Sequence, residues 1–111
     1  MKYAYLGRSG LRVSRICLGT MNFGQWTSEE ESHVIMDTAM EKGINFFDTA
    51  NVYGGNKGKG TTEEYIGRWI RRNPGKREEL VLATKVYGQT SQVGINDRRL
   101  SAYHIRQACE D

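Results

Sequence analysis

Three side chains in this sequence could move a proton together. Asp48 closes the run Gly43-Ile44-Asn45-Phe46-Phe47, Tyr53 follows five residues later, and Lys85 lies near the end of a second apolar run, Leu80 to Val86. A tyrosine with an ordinary pKa of about 10 is a poor acid at neutral pH. An ammonium beside it favours the phenolate and lowers that pKa. A carboxylate beside the lysine keeps the lysine charged and oriented. Asp–Lys–Tyr is thus a relay suited to protonating an oxygen as a carbonyl is reduced. Each member also has a plainer reading, since an Asp after a strand is often a turn former and a Lys there is often just solvated. The relay requires distant segments to meet, so the elements around them decide.

Tyr3 to Leu6 and Leu11 to Val13, around Gly7-Arg8-Ser9-Gly10, read as a β-hairpin. Ile16-Cys17-Leu18, ending at Gly19, reads as a first core strand, followed by the polar and aromatic loop Thr20 to Thr27. Ser28 with Glu31, or Thr27 with Glu30, fits a capping box that opens a helix. Glu29, Glu30 and Glu31 suit its positive end. Val34, Ile35, Thr38 and Ala39 form its expected apolar stripe, Lys42 its last turn and Gly43 its C′ residue. Ile44 to Phe47 is the second strand. Thr61 with Glu64 predicts a cap for a second helix, with Tyr65, Ile66, Trp69 and Ile70 on one face and a stop before Pro74. Leu80 to Val86 is the third strand, and Gly88 to Leu100 is loop-like. Ser101 opens a third helix with Ile105, Ala108 and Cys109 on one side.

Alternating strands and helices imply a parallel sheet with crossover helices. Gly19 leads into Thr20-Met21-Asn22, not a dinucleotide fingerprint, which favours a barrel over a doubly wound sheet. In a parallel barrel the C-terminal strand ends open on one face, so Asp48, Tyr53 and Lys85 could converge there. A barrel of eight such units needs about 250 residues. The 111 residues hold three units and run out inside a helix, at Cys109-Glu110-Asp111. The expectation is that residues 1–111 are the N-terminal portion of one larger barrel domain.

Composition excludes several classes. Hydrophobic content of 38% and charged content of 26% are those of an ordinary folded chain. No apolar run reaches the roughly 18 residues that span a bilayer, and Gly7, Arg8 and Ser9 interrupt any signal-peptide core, so the expected location is cytoplasmic, without a membrane partner. Cys17 and Cys109 stand apart and read as reduced, buried apolar residues. His33 and His104 are isolated too, so no metal site is expected. The net charge is +3, and the basic cluster Arg68, Arg71, Arg72, Lys76, Arg77 reads as a solvated helix end, not a nucleic-acid surface. The glycine-rich segment Asn51 to Thr61 fails as a phosphate loop, because Gly60 follows Lys59 and Glu63 ends the run from Gly58. It reads as a flexible surface loop.

The chain resembles the N-terminal part of the aldo-keto reductases, especially the bacterial branch that is similar to potassium-channel beta subunits. The matching segments are Tyr5 to Leu11, Leu18 to Gly24, Gly43 to Tyr53, Thr62-Glu63-Glu64 with Gly67, Ala83-Thr84-Lys85, and Arg99 to Asp111. Asp48-Thr49-Ala50-x-x-Tyr53 together with Thr84-Lys85 is a specific combination. The resemblance implies an α/β fold, a (β/α)8 TIM barrel closed at its bottom by the hairpin. It implies hydride transfer between NADPH and a small-molecule aldehyde or ketone. Tyr53 would be the general acid, Lys85 would lower its pKa, and Asp48 would pair with Lys85. Thr20, Met21, Gln25 and Asp48 would contact the cofactor, and Tyr53, Tyr87 and Trp26 would line the substrate pocket. Plainer roles stay open for Met21 as core filler, Gln25 as a solvated side chain, and Trp26 and Tyr87 as packing aromatics. The family's catalytic histidine, at the end of the next strand, has no counterpart here, and His104, in a helix, does not take its place. This piece alone is therefore expected to be inactive. The same resemblance leaves open a cofactor-sensing regulatory subunit and a homo-oligomer.

Overall fold

The structure, a computed structural model, describes residues 1–89 and 94–110. Strands β1 (Tyr3–Tyr5) and β2 (Arg12–Ser14) form the expected antiparallel hairpin. Strands β3 (Leu18–Gly19), β4 (Phe46–Asp48) and β5 (Val81–Ala83) form a parallel sheet in the order β3-β4-β5. Helices α1 (Glu29–Glu41), α2 (Thr61–Arg72) and α4 (Ala102–Glu110) alternate with them, and a short helix α3 (Lys76–Glu79), not foreseen, leads into β5. The strand–helix alternation is as read from the sequence, and the sheet is open. No helix among the described residues is long and apolar enough to cross a membrane.

All three core strands are shorter than their apolar runs. Leu18 pairs with Phe47 and Gly19 with Asp48, while Phe46, Phe47 and Asp48 pair with Val81, Leu82 and Ala83. Ile44 is excluded because its N–H is spent on α1. It donates to Ala39 O at 2.9 Å, while the Gly43 N–H donates to Met40 O at 2.9 Å. Those two bonds make a Schellman motif, with Gly43 at φ 80, as the sequence predicts for its C′ position. Asn45 then ties the hairpin beneath β4, its Oδ1 accepting from Ser14 N at 2.7 Å and its Nδ2 donating to Arg12 O at 3.1 Å. The hairpin thus sits at the N-terminal end of the sheet, opposite Asp48.

The core lies between the sheet and helices α1 and α2, built from Phe23, Met36, Ala39, Phe47, Tyr65, Ile66, Trp69 and Leu80. Phe47 and Trp69 meet at 5.9 Å between ring centroids, and the Trp69 indole N–H donates to Asp37 Oδ1 at 2.8 Å. The expected face of α2 is buried as read. The stripe assigned to α1 is not. Of its four residues Ala39 faces inward, beside Ser32 and Met36, whereas Val34, Ile35 and Thr38 are exposed. Two stripes compete on this helix, and the inward one packs against α2, with the Ser32 hydroxyl satisfied by Ser28 O at 2.6 Å.

Ser28 is the N-cap of α1 and forms the capping box with Glu31, which settles the choice against Thr27. The capping box expected at Thr61 does not form. Gly60 is the N-cap, and Thr61 is already helical with its hydroxyl donating to Lys57 O at 3.2 Å. The segment read as a flexible loop contains a 3-10 turn at Gly55–Lys57. The basic cluster is more than a solvated helix end. Arg68 grips Glu29 on α1 through two bonds of 2.7 and 3.1 Å, and the Arg72 guanidinium meets His33 Nδ1 at 3.3 Å.

The cysteines correct the sequence reading. Cys17 and Cys109 are unpaired, as expected, but exposed. Cys17 precedes β3, which among the described residues pairs only with β4. Cys109 is turned away because α4 presents His104 inward; of the expected side Ala108 is half-buried, while Ile105 and Cys109 are exposed. The expected loop Gly88 to Leu100 includes residues 90–93, and the helix expected to run on through Asp111 includes position 111; residues 90–93 and 111 lie outside the described residues.

Candidate active site

At the C-terminal end of the parallel sheet the chain leaves β4 through Asp48 and β5 through Ala83. The two exits stay stitched together for a few residues more. Thr49 N donates to Ala83 O at 2.8 Å and Asn51 N to Lys85 O at 3.2 Å. This parallel register places Asp48 and Lys85 side by side. The third exit joins from β3, where Thr20 donates to Asp48 O twice, from N at 3.0 Å and from Oγ1 at 2.9 Å.

Tyr53 is brought in by the loop. Its N–H donates to Ala50 O at 3.1 Å, and its carbonyl accepts from Thr62 N at 3.3 Å, at the start of α2. The next residue has to be glycine. Gly54 sits at φ +148, and a Cβ there would lie 1.9 Å from Gly58 O and 2.8 Å from Thr61 Cβ. The tight fold after Tyr53 therefore depends on a missing side chain.

The three residues named from the sequence meet at one atom. Lys85 Nζ donates to Asp48 Oδ2 at 2.6 Å, to Thr49 O at 3.0 Å and to Tyr53 Oη at 3.1 Å. It also lies 4.9 Å from the centre of the Tyr53 ring. Burial pulls the Lys85 ammonium towards deprotonation, but the hydrogen bonds and charges of Asp48 and Tyr53 outweigh it and hold its pKa above the usual lysine value. The cluster is open to solvent, with 50% of the Lys85 side chain and 37% of the Asp48 side chain exposed. Cys17 lies close enough to sense both. Partial burial, then the Asp48 carboxylate, raise its thiol pKa, against the lowering effect of Lys85.

The other residues singled out from the sequence are spread around this centre. Thr20 is fully buried and acts on Asp48 through the backbone. Met21 is exposed, and the Gln25 side chain packs over Gly55, where a Cβ would lie 2.6 Å from it. Tyr87 is exposed, its carbonyl accepting from Arg99 N at 3.1 Å. Trp26, 76% exposed, lies instead in a groove along α1 with Thr27, Glu30, Glu31, Val34 and Ile35. His33 is buried between α1 and α2 against Tyr65 O at 3.0 Å. Among the described residues no three His, Cys, Asp or Glu side chains group so as to hold a metal ion.

Sequence reading missed the backbone part of the site. Thr49 offers its carbonyl to Lys85, Asn51 spans from Lys85 O to Gly88 O, and Glu63 accepts from Thr84 Oγ1 at 2.5 Å. Main-chain acceptors carry no sequence signal. Only Glu63, in the Thr62-Glu63-Glu64 match, was within reach.

Residues 15–111 match the sequence profile of the Aldo/keto reductase family. The chain is 56% identical over 113 residues to the uncharacterized oxidoreductase YrpG of Bacillus subtilis (strain 168), covering 99% of this chain and 35% of that protein. It is 38% identical over 117 residues to Protein tas of Escherichia coli (strain K12), covering 100% of this chain and 34% of that one. It is also 38% identical over 108 residues to a probable voltage-gated potassium channel subunit beta of Oryza sativa subsp. japonica, covering 95% and 30%. The chain spans about a third of the length of these relatives.

Proposed function

We propose a function from one premise: the chain belongs to the aldo/keto reductase family. The protein is read as an oxidoreductase that reduces a small aldehyde or ketone to an alcohol with a nicotinamide cofactor, NADPH by preference. Residues 1–111 contribute three strand–helix units of a (β/α)8 barrel and the relay side of its active site. A cytoplasmic location goes with that reading. The observation that carries it is Lys85 Nζ bonded at once to Asp48 Oδ2 and Tyr53 Oη.

In this mechanism the Tyr53 hydroxyl gives its proton to the substrate oxygen. The Lys85 ammonium, already donating to that phenolic oxygen, stabilises the charge left behind. Asp48 keeps the ammonium aimed between the two oxygens. The nicotinamide, when bound, supplies the hydride. The residues present fit such a ring. The relay is solvent-accessible at the open end of the sheet, and Met21 and Gln25 reach the surface on the loop that follows Thr20. Met21, Gln25 and Asp48 would hold the ring, with Thr20 bracing Asp48 from below. Tyr87 and Trp26 would line the substrate side, Trp26 only if its loop turns away from α1. Tyr53→Phe in the full-length protein should cut carbonyl reduction about 10²–10⁴-fold. Near-normal turnover in that variant would overturn the assignment.

The similarity to a potassium channel subunit beta supports a second reading, a regulatory subunit that binds the same cofactor and turns it over weakly or not at all. Steady-state reduction of simple aldehydes separates the two. Tight cofactor binding without turnover in the wild-type protein would favour the second.

A further inference from the structure

We infer that His104 is a positioning residue for Lys85, its buried ring bracing from α4 the carbonyl of Val86, the residue next to Lys85. The inference rests on the relay reading of Lys85.

Strand β5 leaves the sheet at Ala83, two residues before Lys85. From there the backbone is held by separate bonds. Lys85 O accepts from Asn51 N at 3.2 Å, Val86 O from His104 Nε2 at 2.7 Å, Tyr87 O from Arg99 N at 3.1 Å and Gly88 O from Asn51 Nδ2 at 3.1 Å. The bond from His104 is the shortest of the four, and its donor ring is 1% exposed. A carbonyl can only accept, so Nε2 carries a hydrogen and is the donor. On the other side of the ring, Nδ1 faces the Asp97 carboxylate at 3.6 Å. The main chain of His104 is engaged as well, its N–H donating to Ser101 Oγ at 3.1 Å at the start of α4.

Packing alone does not account for a histidine here. His104 is the buried residue of α4, while its apolar neighbours Tyr103 and Ile105 are exposed. A polar ring enters a core at a cost unless its bonds are made, and this ring makes a short one to the backbone at Val86. Lys85 needs that support. Half of its side chain is exposed, and Nζ must stay within bonding reach of Asp48 and Tyr53 simultaneously. An ångström of drift at the root of the side chain breaks one of those contacts.

Glutamine places an amide nitrogen where His104 has Nε2, whereas asparagine places one nearer Nδ1, away from Val86. In the full-length protein His104→Asn should lower kcat about 10- to 100-fold with little change in cofactor KM, and His104→Gln should recover most of the loss. Independently of turnover, the Lys85 Cε resonance followed by NMR against pH should titrate above the usual lysine range in wild type and His104→Gln. In His104→Asn it should fall back. If His104→Asn does not fold, His104→Leu, which fills the space without a donor, replaces it in both measurements. Equal losses of turnover in the Gln and Asn variants with an unchanged Lys85 titration would reduce His104 to a structural role and overturn the inference. So would identical titrations in all three proteins. If wild type itself reduces no carbonyl, the proposed function fails, and the Lys85 titration still decides the role of His104.

Discussion

At the scale of single residues, the site turns on one ammonium with three acceptors. Its pKa is raised in the folded chain, so its contribution to stability is fully present below the unfolded lysine value of 10.5 and is lost only as pH rises through the higher folded value. The stability difference between wild type and Lys85→Met should therefore be constant from about pH 6 to about pH 9, read from urea midpoints. A difference that shrinks inside that window would mean that Lys85 is not held charged by Asp48 and Tyr53. For the same reason, Lys85 does not set the neutral limb of any pH–rate profile. The cysteines were misread from composition, because burial depends on which strand lies at the edge and how α4 is turned. Their unpaired state was legible from spacing.

At the scale of elements, two joints hold the site in place. The first is the turn after Tyr53. Gly54→Ala should strain the backbone and drive a Cβ into Gly58 O, costing about 1–3 kcal/mol and loosening Tyr53. Unchanged stability by thermal unfolding would show that the loop folds another way. The second joint is α1 against α2. The hydrogen bond from Arg68, then its charge, hold Glu29 below the usual value of 4.5 against a raising effect of burial. A lowered folded pKa stabilises above the unfolded value and loses that contribution as pH falls through the folded one. Glu29→Gln should thus be less stable than wild type near neutral pH and converge with it well below about pH 4.5. A gap that persists in acid would point to lost packing instead. The apolar face of helix α2, though not its cap, was read correctly because Tyr65, Ile66 and Trp69 leave it only one apolar face. The face of helix α1 was not, since its sequence offers two stripes and packing against α2 buries the one with Ser32, His33, Met36 and Ala39.

At the scale of the whole molecule, the sheet is narrow and open. Among the described residues β3 and β5 each pair on one side only, and Val34, exposed by 64%, lies with Trp26 along an outer groove of α1. Edges of this kind invite pairing with other chains. The isolated 111-residue chain should associate, or unfold without a sharp transition, in sedimentation and thermal melts. A sharp, cooperative unfolding of a monomer would contradict this. The core itself is well knit, and Trp69→Ala should cost about 3–5 kcal/mol, since the ring is buried against Phe47 and bonded to Asp37.

The amino-acid sequence alone determined the alternation of strands and helices, a helix start at Thr27 or Ser28, the glycine stop at Gly43, and the choice of Asp48, Tyr53 and Lys85 as candidates. Those features rest on local chemistry: side-chain periodicity, a hydroxyl that can cap, and residue types suited to moving a proton. The tertiary structure alone decided strand ends, the turned face of α1, the exposed cysteines and the backbone acceptors around Lys85. It also brought His104 to Val86 and Arg68 to Glu29. These depend on ladder register and on main-chain carbonyls, which look the same at every residue until the chain has folded around them.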